Sequence, residues 1–188
     1  MIALHSVKSR MRGWGYETWH RVRLRWMLRD VARANPILVY QMGKVGSSSV
    51  VRALQQLDLS CPVLHVHTLD ADHLQQAIRK QRAAASPYLP EHLIASSILV
   101  EKLAEGRFPC RVITLTREPV GRAISFVFED WKKKAPGARL PGGDLDVRAM
   151  AEAVMQLLQP GVGHAYPGQW FEREWHICMG IDVFAEPY

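Results

Sequence analysis

One stretch limits this chain more than any other: Ile37-Leu38-Val39-Tyr40-Gln41-Met42-Gly43-Lys44-Val45-Gly46-Ser47-Ser48-Ser49-Val50. It opens on an uncharged apolar run with two β-branched residues, the pattern of a buried strand. Gly43 and Gly46 then flank Lys44 in a tight turn, and three serines lead into Val50-Val51-Arg52-Ala53-Leu54-Gln55-Gln56-Leu57, apolar at helical spacing. A strand, a glycine-punctuated turn and a helix in that order build an anion site. Unpaired backbone N–H groups and the positive end of the helix dipole meet at the helix start. Serine hydroxyls add donors and Lys44 adds a mobile point charge suited to phosphate or sulfate oxygens. An ordinary strand-to-helix turn with a surface lysine is the plainer reading of the same residues.

The rest of the chain alternates strand and helix patterns. Pro62–His67 predicts a second strand, residues 71–83 a polar helix, Glu91–Glu105 an apolar-periodic helix and Pro109–Thr116 a third strand. A helix follows from Pro119 through Trp131, another from Asp144 to Gln159 with Asp144 as its cap, and a last from about Gln169 to Met179. Ile181-Asp182-Val183-Phe184 has the look of a further strand. Strand–helix alternation of this kind argues an α/β domain with a parallel central sheet flanked by helices. At 188 residues one such domain is expected, spanning 36–188 behind a leader of residues 1–35.

That leader is basic and aromatic. Eight Lys and Arg residues face only Glu17 and Asp30 and are interleaved with Trp14, Tyr16, Trp19 and Trp26. One helix is expected from Tyr16 to Ala34, ending before Asn35-Pro36. Three uses compete for it: packing on the domain, lying on an anionic membrane surface, and binding nucleic acid. The last is disfavoured because no binding motif accompanies the charge. No apolar run approaches the roughly 20 residues needed to span a bilayer. Cys61, Cys110 and Cys178 lack any C-x-x-C spacing and read as buried reduced thiols, which points to a cytoplasmic protein.

A second anion site is spelled out at Arg117-Glu118-Pro119-Val120-Gly121-Arg122-Ala123-Ile124-Ser125. Arg117 follows the third strand, and Ser125 lies about two helical turns on; a planar guanidinium suits bidentate contact with a terminal phosphate. Arg122 is three residues from Ser125 and shares its helix face. A surface ion pair is the plainer reading of Arg117. For proton transfer the candidate is His67, at the end of strand two on the sheet edge that carries Lys44, with His65 on the same face by alternation. A histidine merely satisfied at the sheet edge is its alternative. A His65-x-His67 zinc pair lacks a third ligand. Glu172 and Glu174 are less apt bases, expected to be solvated.

The two anion motifs together resemble those of the sulfotransferases that use 3′-phosphoadenosine-5′-phosphosulfate (PAPS). Lys44-Val45-Gly46-Ser47-Ser48 places lysine before the second glycine, unlike the G-x-x-x-x-G-K-[ST] loop of nucleotide triphosphatases. That order is similar to the 5′-phosphosulfate loop. Arg117 to Ser125 is similar to the 3′-phosphate motif, closest to the form in the carbohydrate (heparan-type) enzymes. Val39–Ser49, then His65-Val66-His67-Thr68-Leu69, then Thr116–Arg122 also resemble a bacterial capsular polysaccharide synthesis family that is itself sulfotransferase-like.

The resemblance spans about residues 36–184 and implies a P-loop-like three-layer α/β fold, C-terminally truncated relative to the family. It implies that Lys44 neutralises the leaving phosphate oxygens, that Gly46 and Ser47, Ser48 and Ser49 hold the phosphosulfate, and that Arg117 and Ser125 grip the 3′-phosphate. The activity implied is sulfuryl transfer from PAPS, without a metal, to a hydroxyl of a carbohydrate such as a surface or capsular polysaccharide. The location expected, from the cysteines and the basic aromatic leader, is cytoplasmic and peripheral to the inner membrane through residues 1–34. The competing reading is a nucleotide-binding or polysaccharide-assembly module without catalysis, or an inactive fragment.

Overall fold

The computed structural model describes residues 2–84, 88–106, 108–159 and 167–185. The chain forms two compact units, Met1–Leu115 and Thr116–Tyr188. The fold is mixed α/β, built on a parallel sheet of three strands among the described residues.

In the first unit, helix α1 (Ile2–Met27) is followed by the short α2 (Val31–Ala34), strand β1 (Ile37–Tyr40), α3 (Ser47–Gln56), β2 (Val63–Val66), α4 (Ala71–Ala83), α5 (Glu91–Ala104) and β3 (Arg111–Ile113). The strand order is β2-β1-β3, so β1 is central and parallel to both neighbours. Ile37 pairs with Val63 on one side and with Arg111 on the other. All four β1 side chains are buried, which is why the sequence there is continuously apolar rather than alternating. β2 alternates instead. Leu64 and Val66 are buried, while His65 is only half-buried.

Local chemistry sets the boundaries. Asp70 caps α4 by accepting from the His73 amide at 2.7 Å, and Lys80 and Arg82 occupy its last turn. α5 is buried on most of its surface, through Leu93, Ile94, Ser96, Ile98 and Leu99, and packs against β2, α4 and α1. α1 is longer than the sequence pattern suggests, starting at Ile2, and it stops at Met27 instead of running to Ala34. The reason is Asp30. Its carboxylate accepts from the Arg33 amide at 3.1 Å and starts a new turn, so one helix becomes two. Asn35, at φ 39°, then ends α2 in the left-handed region that asparagine tolerates, ahead of Pro36.

The second unit holds α6 (Pro119–Glu129), α7 (Trp131–Lys134), a 3₁₀ turn at Pro136–Ala138, α8 (Val147–Leu157) and α9 (Pro167–Phe171). α9 continues through a π-helical stretch, Glu172–Ile177. Its core gathers Ala123, Val127, Ala135, Ala138, Met150 and Val154, with Trp131 and Leu145 packed at the edge.

Four expectations need correcting here. The helix from Pro119 breaks at Asp130, whose φ of −141° and ψ of 52° leave the helical region. α8 begins three residues later than expected, because Asp146 and not Asp144 is the cap, accepting from the Arg148 and Ala149 amides. Ile181–Phe184 is not a strand. Asp182 folds it into a turn by accepting from the Phe184 amide through its carboxylate and from the Ala185 amide through its carbonyl. Finally, the three cysteines are free thiols but only partly buried.

Glu17 shows how α1 is fixed. Its buried carboxylate accepts from the Leu89 amide at 2.8 Å and from Arg82 Nη2 at 2.7 Å. Glu17→Ala orphans a buried amide and is expected to cost about 1–3 kcal/mol. Arg82→Ala removes a half-exposed partner and is expected to cost about 0–1 kcal/mol. Urea midpoints check this order, and equal losses would refute it.

Candidate functional site

The order β2-β1-β3 means that the chain leaves β1 to one side for β2 and later returns to the other side for β3. The carboxyl end of β1 is therefore the switch point of the sheet, where a crevice opens between diverging connections and ligands bind in open α/β sheets. Residues 41–46 leave β1 at that point and deliver the chain to α3.

The turn is built on left-handed backbone. Lys44 has φ 71° and Gly46, the N-cap of α3, has φ 90° and ψ 9°. A Cβ at Gly46 would meet nothing within 4 Å, so glycine is needed there for its backbone angle and not for space. Lys44 holds the same region with a side chain, at a cost of about 1–2 kcal/mol. No side chain caps α3, and the Ser49 amide donates to the Gly46 carbonyl at 3.1 Å, so the Ser47 and Ser48 amides remain for a ligand or water. Ser48 and Ser49 are exposed on that turn. Ser47 is buried, and its hydroxyl lies 2.9 Å from His65 Nε2.

Three histidines adjoin the turn. His65, on β2, and His67, the residue just past its end, have ring centroids 4.5 Å apart. His92, in the first turn of α5, stands 5.0 Å from His67 and 6.5 Å from His65. Burial pushes His65 and His92 down to about 4, with smaller contributions from neighbouring imidazoles. Burial also lowers His67; the Gln41 carbonyl opposes the shift and the Lys44 charge adds to it.

His67 Nδ1 lies 2.9 Å from the Gln41 carbonyl oxygen. A carbonyl only accepts, so Nδ1 carries the proton and donates. Neutral His67 is thereby fixed as the tautomer whose Nε2 is unprotonated, the form that can take a proton. Burial keeps it in that form at neutral pH. Gln41 adds a further polar group: its side chain is fully buried and neither its oxygen nor its nitrogen has a hydrogen-bond partner.

The first unit thus brings together Lys44, Gly46, Ser47, His65 and His67. His92 and Gln41 also belong to the site and escape a reading of the sequence. His92 joins through the packing of α5 on β2, and its one local sign is its place in the first turn after Pro90. Gln41 reads as the tail of a strand until its burial is known.

The second unit carries the other motif. Glu118 caps α6 by accepting from the Gly121 amide at 2.6 Å. A Cβ at Gly121 would overlap Glu118 Oε1 and stand 3.3 Å from Arg117 Nη2, so the guanidinium folds back over the first turn. Ser125 is one turn beyond Gly121 on the same side and is half-buried. Arg122 is buried, and desolvation lowers its pKa. Glu172 pairs with His176 at 3.1 Å on the surface. Glu174, expected to be solvated, is instead fully buried in the π-helical stretch.

Comparison of the chain with family models, with curated proteins and with solved structures gave no match in any of the three. Among the described residues, no group of three His, Cys, Asp or Glu side chains is arranged to hold a metal ion. Among the same residues, no helix is long and apolar enough to cross a membrane.

The histidines give the first unit a pH signature. Unfolded, their imidazoles titrate near 6.5; folded, His65 and His92 titrate at about 4. Between those values the unfolded chain binds more protons, so stability is full above about pH 6.5 and falls as pH drops toward 4. Chemical denaturation across that window should show a shallower fall for the double variant His65→Gln/His92→Gln than for the native chain. Parallel curves would remove these two histidines as the cause.

Proposed function

We propose that this chain is a sulfotransferase that moves the sulfuryl group of PAPS to a hydroxyl of a carbohydrate acceptor. The observation that carries the reading is the lysine turn at the switch point, with an imidazole of fixed tautomer beside it. The order of its residues, Lys44-Val45-Gly46-Ser47-Ser48, resembles the phosphosulfate loop and not the triphosphatase loop. The finer fold reading belongs here as well. Right-handed crossovers on either side of β1 would put α3 and α5 on opposite faces, giving a P-loop-like three-layer domain.

In this mechanism the open amides of α3, with Gly46, Ser48 and Ser49, hold the sulfate and 5′-phosphate oxygens. The acceptor oxygen attacks sulfur in line. As the new S–O bond forms, His67 Nε2 takes the hydroxyl proton and the bond between sulfur and the bridging phosphate oxygen breaks. The leaving group is adenosine 3′,5′-bisphosphate, and Lys44 neutralises the charge that develops on its bridging oxygen. His65 holds the Ser47 hydroxyl and so orients the first residue of α3. Arg117 and Ser125 are assigned the 3′-phosphate by the family resemblance. The product is a sulfate ester with its proton handed to His67, which returns it to water.

The test is calorimetry with 3′-phosphoadenosine-5′-phosphate and with adenosine 5′-monophosphate. The bisphosphate is expected to bind more tightly, and Arg117→Ala to erase that preference. Lys44→Gly is the informative loop variant, because it removes the charge while relieving the left-handed backbone. It is expected to keep the unfolding free energy within about 1 kcal/mol of native and to lose bisphosphate binding. His67→Ala is expected to lower turnover with PAPS by roughly 10²–10⁴-fold and to leave bisphosphate affinity unchanged. Absence of bisphosphate binding by the native chain sinks the proposal.

A further inference from the structure

The leader helix is left unused by the site. Its faces divide cleanly. Glu17, His20, Leu24 and Leu28, at helical spacing, are buried, and α1 packs against α5. Arg25 bonds Glu101 at 2.9 Å, and Glu17 bonds Arg82 and the Leu89 amide, so the helix is fixed in its rotation. The opposite face shows Trp19, Val22 and Trp26, at positions i, i+3 and i+7, exposed by 58%, 64% and 63%. Arg23 sits over the Trp19 ring at 5.5 Å and Arg29 over Trp26 at 5.0 Å.

Charge is concentrated in the same segment. Residues 1–34 hold eight Lys and Arg against two acidic residues, a net +6 that equals the formal charge of the whole chain. The remaining 154 residues balance, sixteen basic against sixteen acidic, as subtraction from the chain totals shows. Of the two acidic residues in the segment, Glu17 is buried against Arg82 and Asp30 caps α2.

We infer that the exposed face of α1 docks on the surface of a bilayer that contains anionic phospholipid. Indole rings favour the boundary between headgroups and acyl chains, where one edge is apolar and the other wet. Val22, between the two tryptophans, gains from that boundary and offers nothing to a stacked base. Arginines beside the rings meet the negative headgroups. A second copy docking on this face would bring two basic segments together, and the one exposed acidic residue on each, Asp30, already accepts from the Arg33 amide. No helix among the described residues is long and apolar enough to span, so the association is with the surface.

The experiment is co-sedimentation of the full chain with vesicles of phosphatidylcholine alone and of phosphatidylcholine mixed with phosphatidylglycerol. Selective pelleting with the mixed vesicles, weakened by salt, is expected. Trp19→Ser/Trp26→Ser should lower partitioning by at least about tenfold, and Arg29→Gln by about fivefold. Because these variants alter exposed groups, circular dichroism should show a native fold. Should they misfold, quenching of the native chain's tryptophan emission by brominated-acyl phosphatidylglycerol in mixed vesicles decides the matter, and its absence overturns the proposal. Pelleting that is absent, indifferent to lipid charge, or unchanged in folded tryptophan variants overturns it too. A tryptophan-dependent dimer without vesicles, or tryptophan-dependent capture of a labelled oligonucleotide in place of vesicles, does the same.

Discussion

Parallel pairing of β1 on both of its edges is the constraint from which the site follows. A strand hydrogen-bonded on each side and buried at every position has little freedom of register, since a one-residue slip would shift two ladders at once and exchange the side chains packed on its two faces. Its carboxyl end is therefore a fixed point. The turn that leaves it inherits that rigidity, and the left-handed Lys44 and Gly46 are tolerated because the strand on one side and α3 on the other over-determine them.

Around that fixed point the electrostatics are those of a site closed from water on one side. A free imidazole in water is partly protonated at neutral pH; three of them clustered under α5 are not, because burial penalises the charged form and each cation would oppose the next. The Gln41 carbonyl then selects which nitrogen of His67 keeps its proton. Neutrality and tautomer come from different causes, desolvation for the first and a single hydrogen bond for the second. The same burial that holds the imidazoles neutral leaves the Gln41 amide without a hydrogen-bond partner, a group that folding alone has little reason to keep.

Much of this was legible in the order of residues, and the parts that were not share a cause. The four apolar residues of β1, the alternation through β2, Asp70 before α4 and Pro119 in the first turn of α6 are local signals, and the elements stand where those signals put them. The misplaced boundaries came from competition between nearby caps. Asp30 splits a helix that periodicity alone would continue, Asp146 displaces Asp144, and Asp182 turns a segment whose composition suits a strand. In each case a short carboxylate satisfied a backbone amide within three residues, and the sequence offers several such carboxylates without ranking them.

Sequence by itself determined the turn chemistry. A glycine that must adopt positive φ, a lysine beside it, serines at a helix start and histidines two residues apart on a strand are properties of neighbouring residues, governed by backbone sterics and strand alternation. Tertiary structure alone decided that β1 is central, which makes its end the switch point. It also brought His92 to His65 and His67 across a helix–sheet contact, buried Gln41 and Glu174, and turned Trp19, Val22 and Trp26 outward while Glu17 and Leu24 faced in. The physical reason is range: dihedral preferences and caps act over a few residues, whereas burial depends on which distant surfaces meet.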